Sequence, residues 1–201
     1  MVGAWNLAIL NPKWFANEIM NVPKGTKFEI EMGVGPTMQL RAKIEGLIFI
    51  PSADRVIIAP AEENVDLIKF ADSSALKLHT ILPYTPIDGI GYNFTYELEE
   101  NESFAGAVDF STEYNKEAYK KFNGSSASTS TMLHSVKIAD EPSVVLNLTY
   151  RIVEGQLSLI MNYHYSIGFD KEKVKDALGK FYRSYEHSKL VSSVLIAEEV
   201  N

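Results

Sequence analysis

The chain has 201 residues, 46% hydrophobic and 22% charged, with a net charge of −7; this suits one globular domain, since about 70% of the unfolded surface is buried at this size. The absence of cysteine excludes disulfides, thiolate nucleophiles and zinc–thiolate sites, and fits a reducing, cytoplasmic setting. No basic run exceeds two residues, which argues against nucleic acid as a partner, and no apolar run reaches the roughly 18 residues needed to cross a membrane.

The opening segment, MVGAWNLAILNPKW, lacks a basic start and is interrupted by Asn6 and Asn11, so it reads as mature sequence. Asn11 followed by Pro12 signals a helix start, with Asn as cap and Pro where its missing N–H costs nothing. The run KFEIEMGV alternates, with Phe28, Ile30, Met32 and Val34 on one face. MQLRAKIE alternates again, and Gly46 after it predicts a bulge or bend. LIFI and RVIIA flank PSAD as a hairpin.

Residues 64–82, NVDLIKFADSSALKLHTIL, carry a helical stripe of Ile68, Ala71, Ala75, Leu78 and Leu82. Pro83 and Pro86 end that helix. A long strand follows, with Ile90, Tyr92, Phe94, Tyr96 and Leu98 on one face and Asn93, Thr95 and Glu97 on the other. Residues 100–133 are the least regular: FAGAVDF suggests a short strand, NKEAYKKF a helical turn or two, and 123–132 a mobile polar loop.

SVVLNLTYRIV and QLSLIMNYHYSIG form a hairpin about Glu154-Gly155, with Val153 opposite Gln156. That register places Val144, Leu146, Leu148, Tyr150 and Ile152 with Leu157, Leu159, Met161, Tyr163 and Tyr165 on one face. Val145, Asn147, Thr149, Arg151, Ser158, Ile160, Asn162 and His164 take the other. Asp170 caps a final helix of about 25 residues with a stripe of Val174, Ala177, Leu178, Phe181, Tyr185, Val191 and Leu195, and Gly179 predicts a kink.

Strands followed by helices make this an α+β fold, with about seven or eight antiparallel strands and two long helices. Residues 1–201 read as a single domain with halves 1–100 and 101–201. Element order suggests that 27–82 and 134–196 are two βββα units.

The chain has no G-x-S-x-G, H-E-x-x-H, Walker A, G-x-G-x-x-G or calcium-loop pattern. The four histidines, His79, His134, His164 and His187, lack metal-ligand spacing, and the first, second and fourth read as surface or boundary residues. No catalytic residue, metal ligand or cofactor is therefore assigned. The candidate binding residues are Asn93, Thr95, Asn147, Asn162 and His164, which one face of an antiparallel sheet would bring together; the same row also reads as a solvated face or a subunit interface. Four N-x-[ST] triplets, at Asn93, Asn101, Asn123 and Asn147, lack a secretory context and read as chance.

The run Leu82-Pro83-Tyr84-Thr85-Pro86-Ile87, followed by Gly91-Tyr92-Asn93-Phe94 and Tyr96, resembles a motif of a family of uncharacterised bacterial proteins. Those carry a leucine-proline-x-threonine-proline-isoleucine turn and then glycine-x-asparagine-phenylalanine. NLAILNPKW and IPSADRVII are similar to the same family. The family has no assigned activity, so the resemblance implies a bacterial or prophage origin and no catalytic residue.

Two functions follow from these readings. The first is a non-enzymatic module that binds another protein or assembles with itself, most simply as a homodimer. The second is a small-ligand binder or enzyme using the polar sheet face around His164. A chaperone that holds unfolded segments is a third, by fold analogy.

Overall fold

The computed structural model describes residues 1–23, 25–32, 40–104 and 129–198. In chain order the elements are β1 (Val2–Gly3), α1 (Pro12–Trp14, continuing as a π-helical turn over Phe15–Ile19), β2 (Glu29–Met32), β3 (Leu40–Ile44), β4 (Leu47–Pro51) and β5 (Val56–Pro60). They continue with α2 (Val65–Ile81), β6 (Ile87–Glu97), β7 (Glu102–Phe104), β8 (Thr129–Ile138), β9 (Glu141–Val153), β10 (Gln156–Ser166), α3 (Lys171–Ala177), α4 (Phe181–Leu195) and β11 (Ile196–Glu198).

The class is α+β. The described strands do not form one sheet of seven or eight. They number eleven and divide into a five-stranded sheet β1-β6-β10-β9-β8, a four-stranded sheet β2-β3-β4-β5 and the pair β11-β7. The chain separates into two compact units, Met1–Gly91 with Tyr165–Arg183, and Tyr92–His164 with Ser184–Asn201. Strands β6 and β10 contribute residues to both.

In the first unit, Asn11 caps α1 as its sequence requires, its Oδ1 accepting the Trp14 N–H at 2.9 Å. Phe15 is fully buried and stacks on Phe49 with ring centroids 4.0 Å apart. The β2-β3-β4-β5 meander is antiparallel throughout. Gly46 is not a bulge: Glu45 and Gly46, at φ 46° and 80°, make the tight turn between β3 and β4. Asn64 Oδ1 caps α2 by accepting the N–H groups of Asp66 and Leu67. Gly3 pairs with Ile87 so closely that a Cβ there would collide with the Pro86 carbonyl oxygen.

The predicted 25-residue final helix is two helices. Asp170 caps α3, accepting the Glu172 N–H at 3.0 Å, and the chain then turns at Gly179, φ 84°. The physical reason for the break lies on α2. The Asp72 carboxylate accepts the Gly179 N–H at 3.0 Å and the Phe181 N–H at 3.2 Å. It thereby serves as the cap for the start of α4, and a continuous helix would have kept those N–H groups for itself.

In the second unit, β9 and β10 form the predicted hairpin, with Glu154 and Gly155 in the left-handed region at φ 50° and 90°. Of the residues assigned to its inner face, Val144, Leu146, Leu148, Tyr150, Leu159, Met161, Tyr163 and Tyr165 are buried, while Ile152 and Leu157, next to the turn, are half-buried. Helix α4 presents Ser184, Tyr185, Ser188 and Ser192 as its buried face, rather than the stripe of Val191 and Leu195. Small serines let the helix axis come close to large rings. Tyr96 Oη lies 2.7 Å from Ser188 Oγ, and Tyr163 Oη 2.7 Å from His187 Nδ1.

The predicted short strand at 104–110 and helical turns at 115–122 fall largely or wholly outside the described residues; Phe104 closes β7. Of the predicted mobile loop, 123–128 also lies outside them. Residues 129–132 are the first part of β8, paired in turn with Val153, Ile152, Arg151 and Tyr150. The run TSTMLHSVKI is rich in β-branched residues, and its pairing with β9 outweighs its loop-like polar composition.

Candidate functional site: the polar face of the five-stranded sheet

Alternation along β6, β8, β9 and β10 puts every second side chain on the face opposite the core. No described residue on this face in the second unit is fully buried. Asn93, Thr95, Arg151, Leu133 and Ser135 are exposed, while Val145, Asn147, Thr149, Ile160, Asn162 and His164 are half-buried.

Across the middle of this face runs a row of side-chain hydrogen bonds. Ser135 Oγ donates to Asn147 Oδ1 at 2.7 Å, Asn147 Nδ2 to Asn162 Oδ1 at 3.2 Å, and Asn162 Nδ2 to Asn93 Oδ1 at 2.7 Å. The four residues belong to four adjacent strands, β8, β9, β10 and β6. Every bond points the same way, and such chains strengthen one another by polarisation.

Three of the five sequence candidates, Asn93, Asn147 and Asn162, are thus joined directly. His164 sits two residues along β10 from Asn162 and Thr95 two along β6 from Asn93, on the same face. Neither is hydrogen-bonded into the row among the described residues. Ser135 is the member that sequence reading missed, because β8 was read as partly loop. The alternation of Met132, His134 and Val136 against Thr131, Leu133 and Ser135 was the available signal.

The chemistry this row offers is recognition. Amides and a hydroxyl donate and accept hydrogen bonds but carry no proton to transfer near neutral pH. Among the described residues no group of three or more His, Asp or Glu side chains is placed to hold a metal ion. His134 lies toward the other face, its ring 5.6 Å from that of Tyr150.

His79 departs from the expected surface position. It is 6% exposed on the buried side of α2, and its Nδ1 has no hydrogen-bond partner among the described residues. Burial, then the charges of Lys175 and Lys171, hold its pKa below the ordinary histidine value. In the first unit a 320 Å³ cleft is lined by Lys27, Phe28, Glu29, Lys43, Glu45 and Gly46. Its two lysines and two glutamates balance, so it presents no single charge to a ligand.

No helix among the described residues is long and apolar enough to cross a membrane. The chain matches no protein-family model, no curated protein and no solved structure.

Proposed function

We propose that this protein is a non-enzymatic, cytoplasmic binding module that assembles with a second copy of itself through the five-stranded sheet. The observation that carries this reading is the asymmetry of the sheet in the second unit. On β9 and β10 one face holds a buried core of aromatic and aliphatic residues, among them Leu146, Leu148, Tyr150, Leu159, Met161 and Tyr163. The other is a half-buried mixture of an amide row with Val145, Ile160 and Leu133. Polar groups already paired with one another can be covered without leaving donors or acceptors unmet, which is what an interface requires. Two-fold pairing is the commonest way to bury such a surface.

The test is the solution mass. Light scattering at tens of micromolar protein is expected to return twice the chain mass of 22.5 kDa. A mass of 22.5 kDa at that concentration rejects the reading.

A further inference from the structure

Strand β8 ends the five-stranded sheet, and among the described residues only its β9 side is paired. It is a long edge, ten residues, and its register with β9 is unbroken from Thr129 to Lys137. Edges of this length are ordinarily protected by charge, proline or an early bulge. Here Lys137 is the sole charged residue, there is no proline, and the register shift comes only at Ile138. Leu133 is 61% exposed and Val136 45% exposed, one on each face of the strand. A contact that covers both must lie in the plane of the sheet.

We propose that the occupant of this edge is β8 of a second copy, paired antiparallel about a two-fold axis at Leu133. The proposal rests on the self-assembly reading above and deepens it. In that register the strand is complementary to itself at Leu133 and at Ser135 with Thr131, and it keeps its charges apart. With the axis at Leu133, the two leucines meet on the polar face. Ser135 then lies opposite Thr131 of the second copy, Val136 opposite Ser130, His134 opposite Met132 and Lys137 opposite Thr129. Apolar pairs and Thr–Ser pairs are favourable cross-strand neighbours. The two lysines stand eight residues apart, about 27 Å along the strand, well beyond the roughly 8 Å over which exposed charges act at physiological salt. An axis at His134 would set two imidazoles face to face, and one at Ser135 would set Leu133 against Lys137. Because the chain has no cysteine, an introduced one reports a single contact.

The experiment is oxidative cross-linking of Leu133→Cys, beside Leu190→Cys on α4 as control, with light scattering of both and circular dichroism to verify folding. Residues directly opposite in an antiparallel pair have Cα atoms about 4.5–5.5 Å apart, within disulfide reach. The expected result is a doubled mass for both variants before oxidation. Leu133→Cys then forms a covalent dimer at least tenfold faster than Leu190→Cys. A doubled mass with no preferential Leu133 cross-link overturns the β8 contact and leaves self-assembly standing. Faster cross-linking at His134→Cys than at Leu133→Cys overturns the register. A single-chain mass overturns both proposals, and binding of a synthetic extended peptide by that monomer would assign the edge to a foreign strand.

Discussion

Asp72 shows how much one side chain decides. It stands on α2 and is 9% exposed, yet it holds the N–H groups at the α3–α4 break. Burial raises its pKa above the usual carboxylate value, and the backbone N–H groups of Gly179, Phe181 and Tyr182 act against that rise. Asp72→Ala leaves those donors unmet and is expected to cost about 0.5–2 kcal/mol, the range for a lost helix cap. Asp72→Asn keeps an acceptor and is expected to cost less; urea denaturation of the two variants checks the order. His79 carries a pH dependence that also begins in burial, but its pKa moves the other way. Its folded pKa lies below the unfolded value, so the unfolded chain binds the proton more readily. Stability from a neutral His79 is present above pH of about 6.5 and is lost as pH falls from there through the lowered folded pKa. His79→Gln should flatten this part of a stability–pH profile measured by urea denaturation. An unchanged slope would show that His79 does not titrate differently on folding.

Among the elements, the two Glu-Gly turns make a controlled pair. Glu45-Gly46 and Glu154-Gly155 share a dipeptide, a left-handed backbone at both positions and a hairpin role. They differ in surroundings. A Cβ on Gly155 would meet nothing within 4 Å, whereas one on Gly46 would lie 2.8 Å from Leu67 Cδ2. Gly155→Ala therefore incurs only the left-handed conformational penalty, about 1–2 kcal/mol. Gly46→Ala adds a clash with a leucine at the first turn of α2, and a larger loss is expected. Thermal melts of the two variants decide it, and equal shifts would mean that Leu67 swings aside at no cost. Helix α4 teaches a related lesson. Its apolar residues Leu190 and Val194 are 68% and 72% exposed, while Ser188 is fully buried. The tyrosine-lined sheet face accepts a helix by closeness of approach and by the Tyr96–Ser188 hydrogen bond, not by a leucine stripe.

Over the whole molecule, the edge and the face of the five-stranded sheet make different demands on assembly. Leu133 lies on the edge strand, and Ile160 lies two strands in on the same face. Leu133→Lys places like charges opposite one another at the proposed axis and is expected to weaken association at least about tenfold, read as a shift toward 22.5 kDa. Ile160→Asp, on the half-buried polar face, is expected to weaken association less than Leu133→Lys and to leave the core at Leu148 and Met161 folded. Unfolding by Ile160→Asp would place Ile160 in the core.

What the sequence determined by itself was local. Period-two alternation assigned Val144 to Tyr150 and Leu159 to Tyr165 to the core, and it brought Asn93, Asn147 and Asn162 to one face. That works because a strand's side chains alternate whatever lies beyond it. Asn11 and Asp170 were legible as caps because a cap bonds N–H groups two or three residues away in its own chain. The tertiary structure alone decided the rest. The break at Gly179 depends on Asp72, more than a hundred residues earlier. The burial of Ser188 depends on Tyr96, and Ser135 joins the amide row only because β8 pairs with β9. The division of the eleven described strands into three sheets is likewise a matter of which edges meet. Each of these outcomes is a contact between distant segments, and local periodicity carries no record of the partner.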